Sequence, residues 1–156
     1  PQYYQPRGFD CNLYSAKMAL AYRGVSVSVE SAKASIGIGE DPNSSWVNEY
    51  GTHWGPLSAF VGSYRPVSVR SGWNAAGLAE EIMKGNPSIL YVYNGSSLPV
   101  GAFELPGGFT GYKGMHSEVV VGFTGRPDNP TSILTNDPWR GRRKYTRGSL
   151  YSIWGY

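Results

Sequence analysis

The chain has few of the residues on which most protein chemistry relies. It carries one cysteine and two histidines among 156 residues. An internal disulfide is therefore impossible, and the widely separated histidines supply no zinc-ligand motif. Charged residues reach only 16% and the formal net charge is +3, too mild an excess to argue for nucleic acid as a partner. No apolar run approaches the ~20 residues of a membrane helix, so no membrane span is expected. The first residue is Pro1 and no signal-peptide pattern follows it, so a processed form or a piece cut from something longer is expected. The missing bridges neither require export nor exclude it, since many exported bacterial domains have none.

With 40% hydrophobic residues the chain reads as globular, and its length suits a single domain over 1–156 with a sizeable core. Tyrosine (12), tryptophan (5) and glycine (21) are abundant. Together with light charge, that composition is common in secreted or extracytoplasmic bacterial domains, and such a location, as a monomer, is the expectation.

Nothing between Cys11 and Arg23 breaks a helix, Asp10 suits an N-cap, and Gly24 suits a stop. Ser28 is expected to cap a second helix over Val29–Ile36. The turn 41–45 resembles a calcium loop but fails the pattern: Trp46 stands where glycine is required and Thr52 where glutamate should be. Short helices are expected over 45–50 and 56–64, flanking His53. Valine alternation predicts a strand over 66–70, and Asn74 caps a helix running to Lys84. Ser88–Tyr93 reads as a buried strand. A glycine- and proline-punctuated connection over 94–114 precedes strands over 116–123, 133–136 and 142–147. Helices first and strands last give an α+β domain, an antiparallel sheet packed on the Cys11 helix.

A cysteine in the first turn of a helix has the positive end of the macrodipole behind its sulfur, which favours the nucleophilic thiolate. The alternative is a buried cysteine acting as a small hydrophobe. Such a nucleophile needs a base and a group to orient that base. His116 opens an apolar strand and Asp137 follows another, so adjacent antiparallel strands bring that carboxylate beside His116 Nδ1. His53, the other histidine, has no acidic residue placed to orient it and reads as structural or substrate-lining. Glu118 faces the same side as His116 but meets the ring poorly. Asn136 is a rival orienting group, and strand alternation sends it and Asp137 to opposite faces. The cluster Arg140, Arg142, Arg143, Lys144 and Arg147 is a solvated hairpin face or a docking patch for an anionic polymer.

This arrangement resembles the papain-like cysteine peptidases, and within them the bacteriocin-processing, double-glycine-leader peptidase-like branch. Gln5 precedes Asp10-Cys11, followed by Ser15, Met18 and Tyr22-Arg23-Gly24. Gly114-Met115-His116 leads into the valine-rich strand ending at Phe123, and Asp137-Pro138 is followed by a hairpin and Trp154. The sequence departs directly after the cysteine, where the family has Gly-Pro and this chain has Asn12-Leu13. That change bears on the pocket floor, and so on the substrate. The resemblance implies a papain-like fold, with Cys11 as nucleophile, His116 as general base and then acid, and Asp137 as the orienting carboxylate. Gln5 donates its side-chain amide to the oxyanion with the Cys11 N–H; Gln2 is the rival, better read as a solvated terminal residue.

The reading is a cysteine hydrolase that cleaves peptide bonds through an acyl-enzyme, without metal or organic cofactor. Residues 101–114 are expected to form a mobile wall or lid. The alternatives are a peptidoglycan amidase or endopeptidase acting on cell-wall peptide, and a catalytically silent binding domain on the same fold.

Overall fold

The structure is a computed structural model and describes residues 1–6, 8–94, 98 and 100–154. Helix α1 (Cys11–Tyr22) runs through the middle of the molecule. Its residues are buried on nearly every side, including Asn12, Leu13, Ser15, Met18 and Leu20. A helix covered all round needs a layer on each side. One layer is α2 (Val29–Ile36) and α3 (Trp54–Gly62), which close a core over Leu13, Ala16, Leu20, Leu57 and Phe60. The other is an antiparallel sheet of β3 (Ser88–Tyr93), β6 (Met115–Arg126), β7 (Asn129–Asp137) and β8 (Gly141–Thr146), in the order β3-β6-β7-β8. Helices α4 (Ala75–Met83) and α5 (Arg147–Tyr151) complete a second core on this sheet, around Leu78, Val92, Val120, Ile133 and Leu150.

The expected caps of α2 and α4 form: Ser28 accepts from Ser31 N–H at 3.0 Å and Asn74 from Gly77 N–H at 2.9 Å. Asp10 does not cap α1. Its side chain turns instead to Lys33 at 2.9 Å, and its carbonyl oxygen accepts from Tyr14 N–H. Lys33 itself lies 4.0 Å from the centre of the Trp46 ring, so Asp10 joins the start of α1 to α2.

Three other expectations change. Residues 45–50 are not helical: Trp46–Val47 form β2, paired in parallel with β1 (Ile38–Gly39). Glu49 has a φ of 58°, a turn conformation that a helix excludes. Residues 66–70 are exposed and form no strand among the described residues. The connection over 94–114 lies partly outside the described residues (95–97 and 99). Within it, β4 (Ala102–Glu104) and β5 (Thr110–Tyr112) form a small hairpin. Tyr112 N–H donates to the Tyr50 hydroxyl at 2.8 Å, and Leu105 is buried with Val47 and Tyr50. A hairpin anchored in this way is a wall of the molecule, not a free lid.

Helix α1 is pinned to β6 by two serines. Ser15 Oγ donates to the Ser117 carbonyl at 3.1 Å, and Ser117 Oγ donates to Ser15 Oγ at 3.0 Å, both fully buried. Ser15 lies one turn beyond Cys11, and Ser117 directly follows His116, so the pin fixes the distance between those two elements. Ser15→Ala leaves Ser117 Oγ buried without its acceptor, which costs roughly 1–3 kcal/mol. Urea unfolding of the wild type and the variant measures this loss, and an unchanged midpoint contradicts it.

Candidate active site

The opening of α1, the start of β6 and the end of β7 converge at one end of the sheet. Cys11 is the first residue of α1 and keeps 4% of its surface; His116 keeps 6% and Asp137 none. His116 Nε2 lies 2.8 Å from Asp137 Oδ1, and the Cys11 thiol is an electrostatic neighbour of the same ring. With Nε2 engaged by the carboxylate, Nδ1 is the nitrogen left for the sulfur. This corrects the expectation that Asp137 meets Nδ1. Strand order and direction put the two residues together, but which nitrogen is met depends on the ring's rotamer.

Asp137 is itself held in place, because Oδ1 also accepts from Trp139 N–H at 2.7 Å. Burial drives its carboxyl upward. The His116 hydrogen bond and charge, with the N–H groups of Trp139 and Arg140, outweigh that and hold it below the usual range. For His116, burial pulls the ring's pKa down. The hydrogen bonds and charges of Asp137 and Cys11 prevail and push it up to about 9. An imidazolium therefore faces the sulfur at neutral pH.

Asn136 is turned away, as alternation requires, and donates from Nδ2 to the Pro1 carbonyl at 3.0 Å. Glu118 is fully buried and accepts from the hydroxyls of Thr135 and Tyr145, the latter at 2.7 Å. His116, Glu118 and Asp137 do bring ligand-type atoms within 4.8 Å of one another. Within this group Nε2 is engaged by Asp137 Oδ1, and each Glu118 oxygen accepts from a hydroxyl.

Gln5 is buried beside Pro138, whose carbonyl accepts its backbone N–H at 2.8 Å. Its Nε2 donates to the Gly8 carbonyl at 2.6 Å, which leaves the second hydrogen of that amide. Gln2 is not free in solvent as expected, since its Nε2 reaches the Asp137 carbonyl at 3.0 Å.

His53 lies in a different network. Asp41 Oδ1 accepts from Asn43 Nδ2 at 3.1 Å, so Asn43 turns its oxygen toward His53 Nδ1, 2.9 Å away. His53 Nδ1 therefore carries the proton, and Nε2 accepts from the Tyr50 hydroxyl at 2.9 Å. Burial depresses this ring's pKa, with Asp41 opposing weakly, and burial pushes Tyr50 up to about 12.

The departure at Asn12 also has a physical account. Its Oδ1 faces Thr52 N–H at 3.4 Å, and a Cβ at Gly51, whose φ is 109°, would stand 2.6 Å from that oxygen. Asn12 and Gly51 therefore fit as a pair. Sequence reading missed Trp139, which is 66% exposed with its ring centre 6.4 Å from that of His116. Its place in Asp137-Pro138-Trp139 was the available signal.

Helices on one side of a central helix and an antiparallel sheet on the other define an α+β papain-like fold. Residues 1–156 match the Peptidase_C39 like family, and the chain belongs to it. That membership supports a function of the cysteine-peptidase type. Among solved structures, a protein from Bacillus anthracis assigned as a C39-like peptidase superposes with a TM-score of 0.77 at 20% identity, covering 99% of this chain and 88% of that one. A double glycine motif protease from an AMS/PCAT transporter, in complex with the leader peptide, gives 0.51 at 16% identity, covering 99% and 84%. At these identities the likeness is one of fold. No curated protein matches the chain.

A ring whose folded pKa lies above its unfolded value stabilises the fold fully below about pH 6.5 and gives that up as the pH rises toward about 9. Histidine-ring NMR is expected to show one ring titrating near 9 and the other below 6.5. Asp137→Asn should lower the first midpoint and leave the second. A first midpoint unmoved in that variant contradicts the assignment.

Proposed function

We propose that the protein hydrolyses peptide bonds through Cys11, His116 and Asp137. The observation that carries this reading is the buried 2.8 Å contact of His116 Nε2 with Asp137, which leaves the other face of the ring to the Cys11 sulfur. The thiolate attacks the scissile carbonyl carbon. His116 then gives its Nδ1 proton to the leaving amine, and an acyl-enzyme remains on Cys11. The ring, now neutral, takes a proton from water as its oxygen attacks the thioester. Collapse releases the acid and restores the thiolate facing the imidazolium. Asp137 keeps the ring oriented and stabilises its charge throughout.

The oxyanion formed in each half-reaction needs donors already in place. The Cys11 N–H at the helix start is one, and the remaining N–H of Gln5 Nε2 is the other. The substrate is a peptide or protein segment, and its carbonyl must enter through the small exposed window at Cys11. A secreted or extracytoplasmic setting in a bacterium, one domain over 1–156 and a monomeric state belong to the same reading.

Iodoacetamide at pH 7 is expected to alkylate Cys11 faster than free cysteine, and more slowly in His116→Ala. Labelling no faster than the free amino acid contradicts the reading. Digestion of a peptide library should disappear in Cys11→Ala. In Gln5→Ala, kcat should fall about 10²–10³-fold with KM little changed, as for loss of one oxyanion donor.

A further inference from the structure

A cavity at the edge of the sheet is lined by none of the three residues just described. It has a volume of about 840 Å³ and runs between β3 and the exposed segment 66–70. One wall is the outer edge of the sheet, since β3 is the terminal strand in the order β3-β6-β7-β8. Asn94 N–H points to Gly114 on the β6 side, whereas Tyr93 N–H points outward to the Ile153 carbonyl at 2.7 Å. Main-chain groups of an antiparallel strand alternate sides. The N–H and C=O of Ile89 and Tyr91 therefore also point outward, into the cavity that both residues line. The edge already accepts one main-chain partner, at Tyr93.

The opposite wall is unusual for its charge. Arg23, Arg65 and Arg70 all line the cavity and all are exposed. Arg23 donates to the Gly85 carbonyl and the Asn86 side chain, Arg65 to the carbonyls of Tyr64 and Arg23, and Arg70 stacks on Trp73 at 4.5 Å. None of the three has a carboxylate partner among the described ion pairs. The one acidic residue of the lining, Glu81, is already bound to Lys84 and Asn86.

We propose that this groove binds an acidic peptide in extended conformation, added as a strand to the open edge of β3. Its main chain pairs with Ile89 and Tyr91, its apolar side chains lie against Trp54 and Trp73 of the lining, and its carboxylates meet Arg23 and Arg65. Strand addition supplies affinity through main-chain hydrogen bonds, and the flanking charges supply selectivity. The groove ends at the level of the active site, because Val92 is the register partner of His116. Binding here is separate from the chemistry at Cys11. In the hydrolase reading, the bound segment is a part of the substrate remote from the scissile bond.

The test uses the Cys11→Ala protein, so cleavage and binding are read separately. A fluorescein-labelled heptapeptide of alternating valine and glutamate is titrated by anisotropy. Saturable binding is expected, weakening at least ten-fold when the glutamates become glutamines, when alternate amides are N-methylated on the edge-facing side, or in the Arg23→Gln/Arg65→Gln double variant. The peptide changes leave the protein untouched, so a folding defect cannot mimic them. Absence of saturable binding overturns the proposal, as does equal affinity for the glutamine peptide, for the N-methylated peptide or of the double variant.

Discussion

The site depends on one buried hydrogen bond, the 2.8 Å contact between His116 Nε2 and Asp137 Oδ1. A carboxylate with no exposed surface carries a large desolvation cost and persists only when its oxygens are well matched. Here the Trp139 N–H and the His116 ring both engage Oδ1, and the charge of the imidazolium favours the ionised form. The pairing of β6 with β7 brings the two side chains together. Glu118 reinforces that pairing: it sits on β6 and accepts from Thr135 on β7 and Tyr145 on β8, so three strands meet at one side chain. Its partners are neutral hydroxyls, which leaves Asp137 as the carboxylate in direct contact with the ring.

A second constraint comes from α1. A helix buried on nearly every side has most of its polar residues inside the protein, where they must find partners. Ser15 finds Ser117, and Asn12 finds the main chain of Thr52. Each contact also positions something near the sulfur. The first fixes helix against strand beside His116. The second fixes the loop that carries His53, through a glycine whose Cβ would collide with the asparagine. The residues that replace the family's Gly-Pro are thus built into the packing below Cys11.

The parts legible in the sequence were those whose cause is local. The helix from Cys11, the Ser28 and Asn74 caps and the buried strand Ser88–Tyr93 all follow from residues within one element. Cys11, His116 and Asp137 were legible as candidates because each marks the end of an element. What stayed hidden depends on distant partners. Asp10 is a sound cap in isolation, yet Lys33 on α2 takes its carboxylate. Residues 45–50 have no local signal for pairing with Ile38–Gly39, and Glu49 adopts a positive φ that tertiary context imposes. Valine alternation at 66–70 suggested a strand that does not form, because a strand also needs a neighbour, and a cavity lies beside this segment. The ring nitrogen that meets Asp137 follows from a rotamer, which spacing along a chain does not encode.

The two histidines show why the partner, and not burial, distinguishes a candidate base. Both rings are almost wholly buried, and burial alone acts on each in the same direction, against the charged form. His53 meets a neutral amide and a phenol. Its nearest carboxylate, Asp41, is one residue removed behind Asn43, so burial wins and the ring stays neutral. His116 meets a carboxylate directly and a sulfur on its other side, and the sign reverses. A neutral ring with both nitrogens engaged holds the 50–54 loop to the Asp41 turn and has no free atom to exchange a proton. A charged ring with a carboxylate behind it and a sulfur ahead has one proton to give and one place to receive it back. Under the proposed function, the same side chain serves as a structural strut at one position and as a proton carrier at the other.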